Sequence, residues 1–140
     1  MITIIVQTVS RIMIPFIQLF GLYVIMHGHI SPGGGFQGGA IFAASLILLT
    51  LTFELAEAEK RAPFRMLIAI AVSGALVFTG IGMLGILFGG YFLDFLVIPL
   101  PIPPADVSEL MIVSIEIAIG VAVMALLIII FFGMAEEVFE

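Results

Sequence analysis

From Met66 to Gly89 no side chain carries a charge, and the same holds from Phe36 to Phe53. A hydrocarbon core ~30 Å thick is crossed by ~20 apolar residues in a helix. Two further runs meet that length. Ile2 to Met26 contains Arg11 and Pro15, and Val107 to Met134 holds Glu116 in its interior. Strands of a membrane barrel alternate apolar and polar residues. Here the runs are continuous, as in Leu126-Leu127-Ile128-Ile129-Ile130-Phe131-Phe132, which favours helices. The expected fold is therefore an all-α integral membrane protein, one domain over 1–140, with four transmembrane helices over about 2–27, 36–58, 64–89 and 107–135.

Composition closes off the alternatives. The chain has 4 Lys or Arg, 10 Asp or Glu, and 63% hydrophobic residues, with a mean hydropathy of +1.38. That is too little charge to cover a water-facing surface, which excludes a soluble enzyme, a nucleic-acid binder and a disordered chain. With no cysteine there is no disulfide, thiolate metal site or catalytic thiol. The first span lacks a positive n-region and is read as a span, not a cleaved leader.

The four cations set an orientation. Lys60, Arg61 and Arg65 lie between the second and third spans, and the two other connections have no Lys or Arg. Positive loops stay cytoplasmic, so both termini are expected on that side in a multi-pass protein of the plasma membrane. Arg11 falls in the inner half of its span, where it can snorkel to the same face or pair with an acid on another subunit. Glu57 precedes Arg61 by four residues, a favourable order if the second helix continues past the membrane. Glu54, Glu57 and Glu59 read as a solvated face. Asp106 and Glu109 have the spacing of a capping pair opening the fourth helix. The Pro99–Pro104 stretch before it is expected to be extended, and Pro15 to kink or open the first helix.

Glycines at four-residue spacing (Gly34 with Gly38, Gly35 with Gly39, Gly85 with Gly89) and Ala118 with Ala122 let helix backbones approach closely in lipid. This predicts tight packing against neighbouring subunits. The densest patch is His27-Gly28-His29-Ile30-Ser31-Pro32-Gly33-Gly34-Gly35-Phe36-Gln37-Gly38-Gly39. A phosphate loop would need a Lys and a preceding strand. A metal site would need a third ligand and a shared face for the two histidines. Neither condition is met, so no metal and no cofactor are expected. Ser31, Pro32, Gly33, Gly34, Gly35, Phe36, Gln37, Gly38 and Gly39 read as a tight re-entry turn and assembly motif.

With Gly21-Leu22-Tyr23 ahead of it, this run closely resembles the signature of the B subunit of multisubunit Na⁺/H⁺ antiporters, the Mrp or Mnh family. Length, span number and motif position are similar too. The resemblance implies a non-catalytic membrane subunit of a large assembly that exchanges Na⁺ for H⁺, with other membrane subunits as partners. It also implies an alternative. Homologous subunits serve in the membrane arms of membrane-bound hydrogenases and sulfane reductases, which use the same module.

Four residues could serve ion movement. Glu116 is an acid inside an apolar span, at a cost of roughly 2.5–3.5 kcal/mol that the rest of the helix offsets. Such an acid faces the bundle interior or a hydrated path. It either binds H⁺ or Na⁺ there or ties two helices through its carboxyl. His27 and His29 sit near the outer interface, where imidazole can change charge or simply anchor the helix end. Arg11 completes the set.

Overall fold

The computed structural model describes residues 3–30 and 33–139, and the regular secondary structure of the described residues is all helical. Helix α1 spans Ile4–Met26, α2 Gly35–Phe53, α3 Leu55–Arg61, α4 Phe64–Leu87 and α5 Pro104–Phe139. A single 3-10 turn, Phe95–Val97, lies between α4 and α5. Four of these helices, α1, α2, α4 and α5, are long and apolar enough to cross a membrane.

The long helices do not close into a ring. They pack in the order α1, α2, α5, α4, so α2 and α5 are central and α1 and α4 form the edges. The core runs along the row around α5, with Ile14 of α1, Ala43 and Leu49 of α2, Ala58 of α3, Leu67 of α4 and Ala125, Ile128 and Phe132 of α5 buried. Outward faces of the edge helices carry exposed Phe16, Leu19, Phe20, Val72 and Leu76. In water these would be a liability; in lipid they match the surrounding acyl chains.

Hydroxyls inside the spans are satisfied locally. Thr50, Thr79 and Ser114 each donate to the carbonyl four residues back, at 2.8–2.9 Å, which keeps a polar group from facing hydrocarbon alone. Buried Thr52 donates to buried Ser10 at 3.2 Å and links α2 to α1. Thr3 opens α1 by accepting from the Val6 N–H at 3.4 Å.

Two expected helix boundaries are corrected. The second span does not run to residue 58: it stops at Phe53, Glu54 adopts φ 79°, and α3 starts separately at Leu55. The apolar run ends at Phe53, so beyond it the chain gains nothing by staying straight through lipid. The Glu57–Arg61 pair forms at 3.6 Å, but on α3, and Lys60 shares Glu57 at 3.7 Å. The fourth span begins at Pro104, inside the stretch expected to be extended. Proline suits the first turn of a helix because its missing N–H has no partner there. Asp106 is consequently not the cap: it lies in the first turn, its own N–H donating to the Pro103 carbonyl at 3.0 Å.

The two hairpins differ in height. Gly39 of α2 and Gly74 of α4 both face the middle of α5, at Gly120 and at Ala118–Ala122 respectively. Above that level α2 has only residues 35–38, whereas α4 has residues 75–87. At ~1.5 Å per residue α4 ends roughly 14 Å beyond the start of α2. The α1–α2 turn therefore lies alongside the middle of α5 and well below the tip of the α4–α5 hairpin.

Candidate functional site

That recessed turn brings His29 against Glu109 and the start of α2 against Glu116. After α1 ends at Met26, residues 27–30 form a hydrogen-bonded turn, with the Ile30 N–H on the His27 carbonyl at 3.1 Å. Gly33 (φ 117°) and Gly34 (φ 139°) then reverse the chain into α2, backbone values that side chains on Cβ rarely allow. Ser31 and Pro32 lie outside the described residues.

Gly34 as N-cap has no side chain to satisfy the first amides of α2. The acceptor comes from another helix: Gly35 N–H donates to Glu116 Oε2 on α5, a residue 81 positions away. A carboxylate at a helix N-terminus satisfies one of its orphan donors and meets the positive end of the helix dipole. The half-buried Glu116 side chain is enclosed by glycines. A Cβ on Gly34 would stand 2.6 Å from Glu116 Oε2, and one on Gly28 3.1 Å from it. The glycine run is thus the space in which this carboxyl sits.

The other motif glycines bring helices together within the chain. Gly38 packs against Gly21 and Ile25 of α1, and Gly39 against the Gly120 backbone of α5. Gly74 takes the Ala118–Ala122 pair. Gly85 packs on the backbone of Tyr91 and Asp94, where the α4–α5 connection folds back on α4 and the Leu93 N–H reaches the Gly82 carbonyl at 3.1 Å. Gly89 (φ 89°) lies past the helix end with open space around it. Except at Gly89, the small-residue spacings hence serve contacts inside this chain, and the exposed positions among the described residues of the motif are Gly33, Phe36 and Gln37.

The histidines part company. His27 Nδ1 donates to the Tyr23 carbonyl at 3.0 Å, and its ring stacks on Tyr23 at 4.2 Å, so it closes the end of α1. His29 reaches across instead: its Nε2 lies 3.2 Å from Glu109 Oε1 on α5. Its side chain is 17% exposed and that of Glu109 60%, while His29 Nδ1 is buried with no hydrogen-bond partner among the described residues. Glu109 and Glu116 are seven residues apart, two turns along the same face, ~10 Å on the axis. The two acids and His29 form a file running from the exposed part of α5 to the α2 N-terminus. In the sequence Glu109 reads as a cap partner for Asp106; its seven-residue spacing from Glu116 is the signal that places both acids on one face.

Arg11 belongs elsewhere. It lies at the far end of the row, its guanidinium 5.3 Å from the Phe53 ring centre at the end of α2. Among the described residues no group of three or more His, Asp or Glu stands where it could hold a metal ion.

Fold and site together define a small polytopic membrane protein with an interior carboxyl capping one helix from another. A family model described as "Domain related to MnhB subunit of Na+/H+ antiporter" matches residues 5–129, and the chain belongs to that family. Proteins of Staphylococcus aureus strains Newman, JH1 and Mu3, each named "Putative antiporter subunit mnhB2", are 38% identical to it over 93 residues. The matched region is 65% of this chain and 64% of each relative, so the match spans less than two thirds of the relatives' length.

Proposed function

We propose that this chain is a non-catalytic, multi-pass plasma-membrane subunit of a multisubunit Na⁺/H⁺ antiporter, and that Glu116, His29 and Glu109 carry its part in ion movement. The family and the four spans support the first half. The observation that carries the second is the Glu116 carboxyl bonded to the recessed N-terminus of α2. An acid kept inside a span faces a hydrated or ion-conducting route when it is not simply neutralised by a partner charge. Here its partner is an uncharged amide, and a second acid with its histidine continues the file toward the exposed part of α5. His27, closed on Tyr23, acts as an anchor, and Arg11 takes no part in this file.

The test uses inside-out vesicles carrying the assembled complex. Glu116→Gln keeps an acceptor for Gly35 and removes the charge. Sodium-driven pH change should fall strongly while the subunit still co-purifies. Undiminished exchange in an assembled complex would leave Glu116 with only a structural role. Subunit composition in mild detergent separates the redox alternative: an iron–sulfur or nickel subunit in the same complex would place this chain in a hydrogenase or sulfane-reductase arm.

A further inference from the structure

On one face of the row, at the α3 end, a cleft of about 420 Å³ is lined by all four long helices. Its body is apolar, including Ile14, Leu46, Leu49, Leu67, Met124 and Ile128. Gln18 is a polar exception, and two guanidiniums, Arg11 and Arg61, are the charged groups in the lining. Arg61 shares Glu57 with Lys60 through exposed contacts of 3.6 and 3.7 Å, pairs that contribute little. Arg11 meets only the face of Phe53, and no carboxylate lies within ion-pair distance of it among the described residues. Both charged groups of the lining are thus cations, whereas Glu54, Glu59, Arg65, Glu136 and Glu137, at the same end of the helices, do not line the cleft. A cation inside a span normally finds an anion or a hydrated cavity. Pro15, also in the lining, donates no hydrogen bond to the Arg11 carbonyl.

Two guanidiniums at one end of an otherwise apolar lining match an amphiphile of opposite design. We propose that the cleft is a binding site for an anionic phospholipid of the leaflet at the α3 end. Arg11 and Arg61 hold the phosphate, and one acyl chain lies along the α1, α2 and α5 side chains. Guanidinium presents paired donors to phosphate oxygens, which suits it to this contact better than ammonium. Basic pockets between membrane helices bind such headgroups, and a Lys or Arg near an anionic membrane surface contributes about 1 kcal/mol. The lipid fills the space between the two edge helices that the chain's own side chains leave open. This site is at the opposite end from Glu116 and stands or falls apart from the ion file.

The experiment is photolabelling of the assembled complex in vesicles. Phosphatidylglycerol or phosphatidylcholine carrying a diazirine in its acyl chain is added at equal mole fraction, and labelled peptides are identified by mass spectrometry. Phosphatidylglycerol should label the segments around Gln18 and Met124, and phosphatidylcholine should do so far less. Arg11→Gln and Arg61→Gln should each lower the anionic labelling about fivefold, with Lys at either position restoring part of it. Equal labelling by both probes would overturn the proposal. So would an unlabelled cleft in an assembled complex, or cross-links there to a neighbouring subunit's helix. Should a variant fail to assemble, the two-probe comparison on the unsubstituted complex still decides.

Discussion

Removing the Glu116 carboxylate leaves the buried Gly35 amide without its acceptor, and an unpaired buried donor costs about 1–3 kcal/mol. Glu116→Leu should therefore lower the thermal midpoint of the complex in detergent by more than Glu116→Gln, whose side-chain oxygen can still accept. If both variants melt alike, the bond to Gly35 contributes nothing. Gly34→Ala tests the same bond from the other side. It places a methyl at φ 139°, 2.6 Å from Glu116 Oε2, so it should destabilise the complex and reduce exchange together. A Gly34→Ala complex with unchanged melting and transport would contradict the enclosure described here. Glu116 itself stood out in the sequence as an acid among Ile, Ala and Val. Its partner did not, because a backbone N–H has no letter of its own and the two groups are 81 positions apart.

Helix α2 depends on small residues along two sides, toward α1 at Gly38 and toward α5 at Gly35 and Gly39. Overpacking of such contacts costs typically about 1–3 kcal/mol. Gly39→Leu should separate α2 from α5 and abolish co-purification, whereas Gly80→Ala, with open space around it, should assemble normally; pull-down yields of the two variants compare them directly. The spacing of these glycines was legible in the sequence, but which neighbour they serve was not. A four-residue repeat of small side chains reads the same whether the facing helix belongs to this chain or another. The ends of elements were harder still. Glu54 breaks the path between α2 and α3 with no glycine or proline at the break, and Pro104 begins α5 where a row of prolines suggested an extended segment.

At the scale of the whole chain, four apolar spans were evident from charge alone, since burial in lipid leaves so plain a mark. Their lateral order was not, because every face is apolar and the periodicity that distinguishes inside from outside in water is weak. The positive-inside rule makes one further claim testable on a sequence without cysteine. In Lys60→Cys the thiol should react with an impermeant maleimide only in inside-out vesicles; labelling of intact cells would reverse the orientation. The order α1, α2, α5, α4 has a consequence for how the molecule is made. Helices leave the ribosome from the N-terminus onward, so α1 and α2 can pair early, while α4 enters the bilayer before the helix it chiefly leans on. Until α5 follows, the nascent chain is a hairpin and a detached rod joined by α3. Of the four long helices, the one that comes last in chain order is the one that unites the other three, so the bundle closes only after all of them have entered the bilayer.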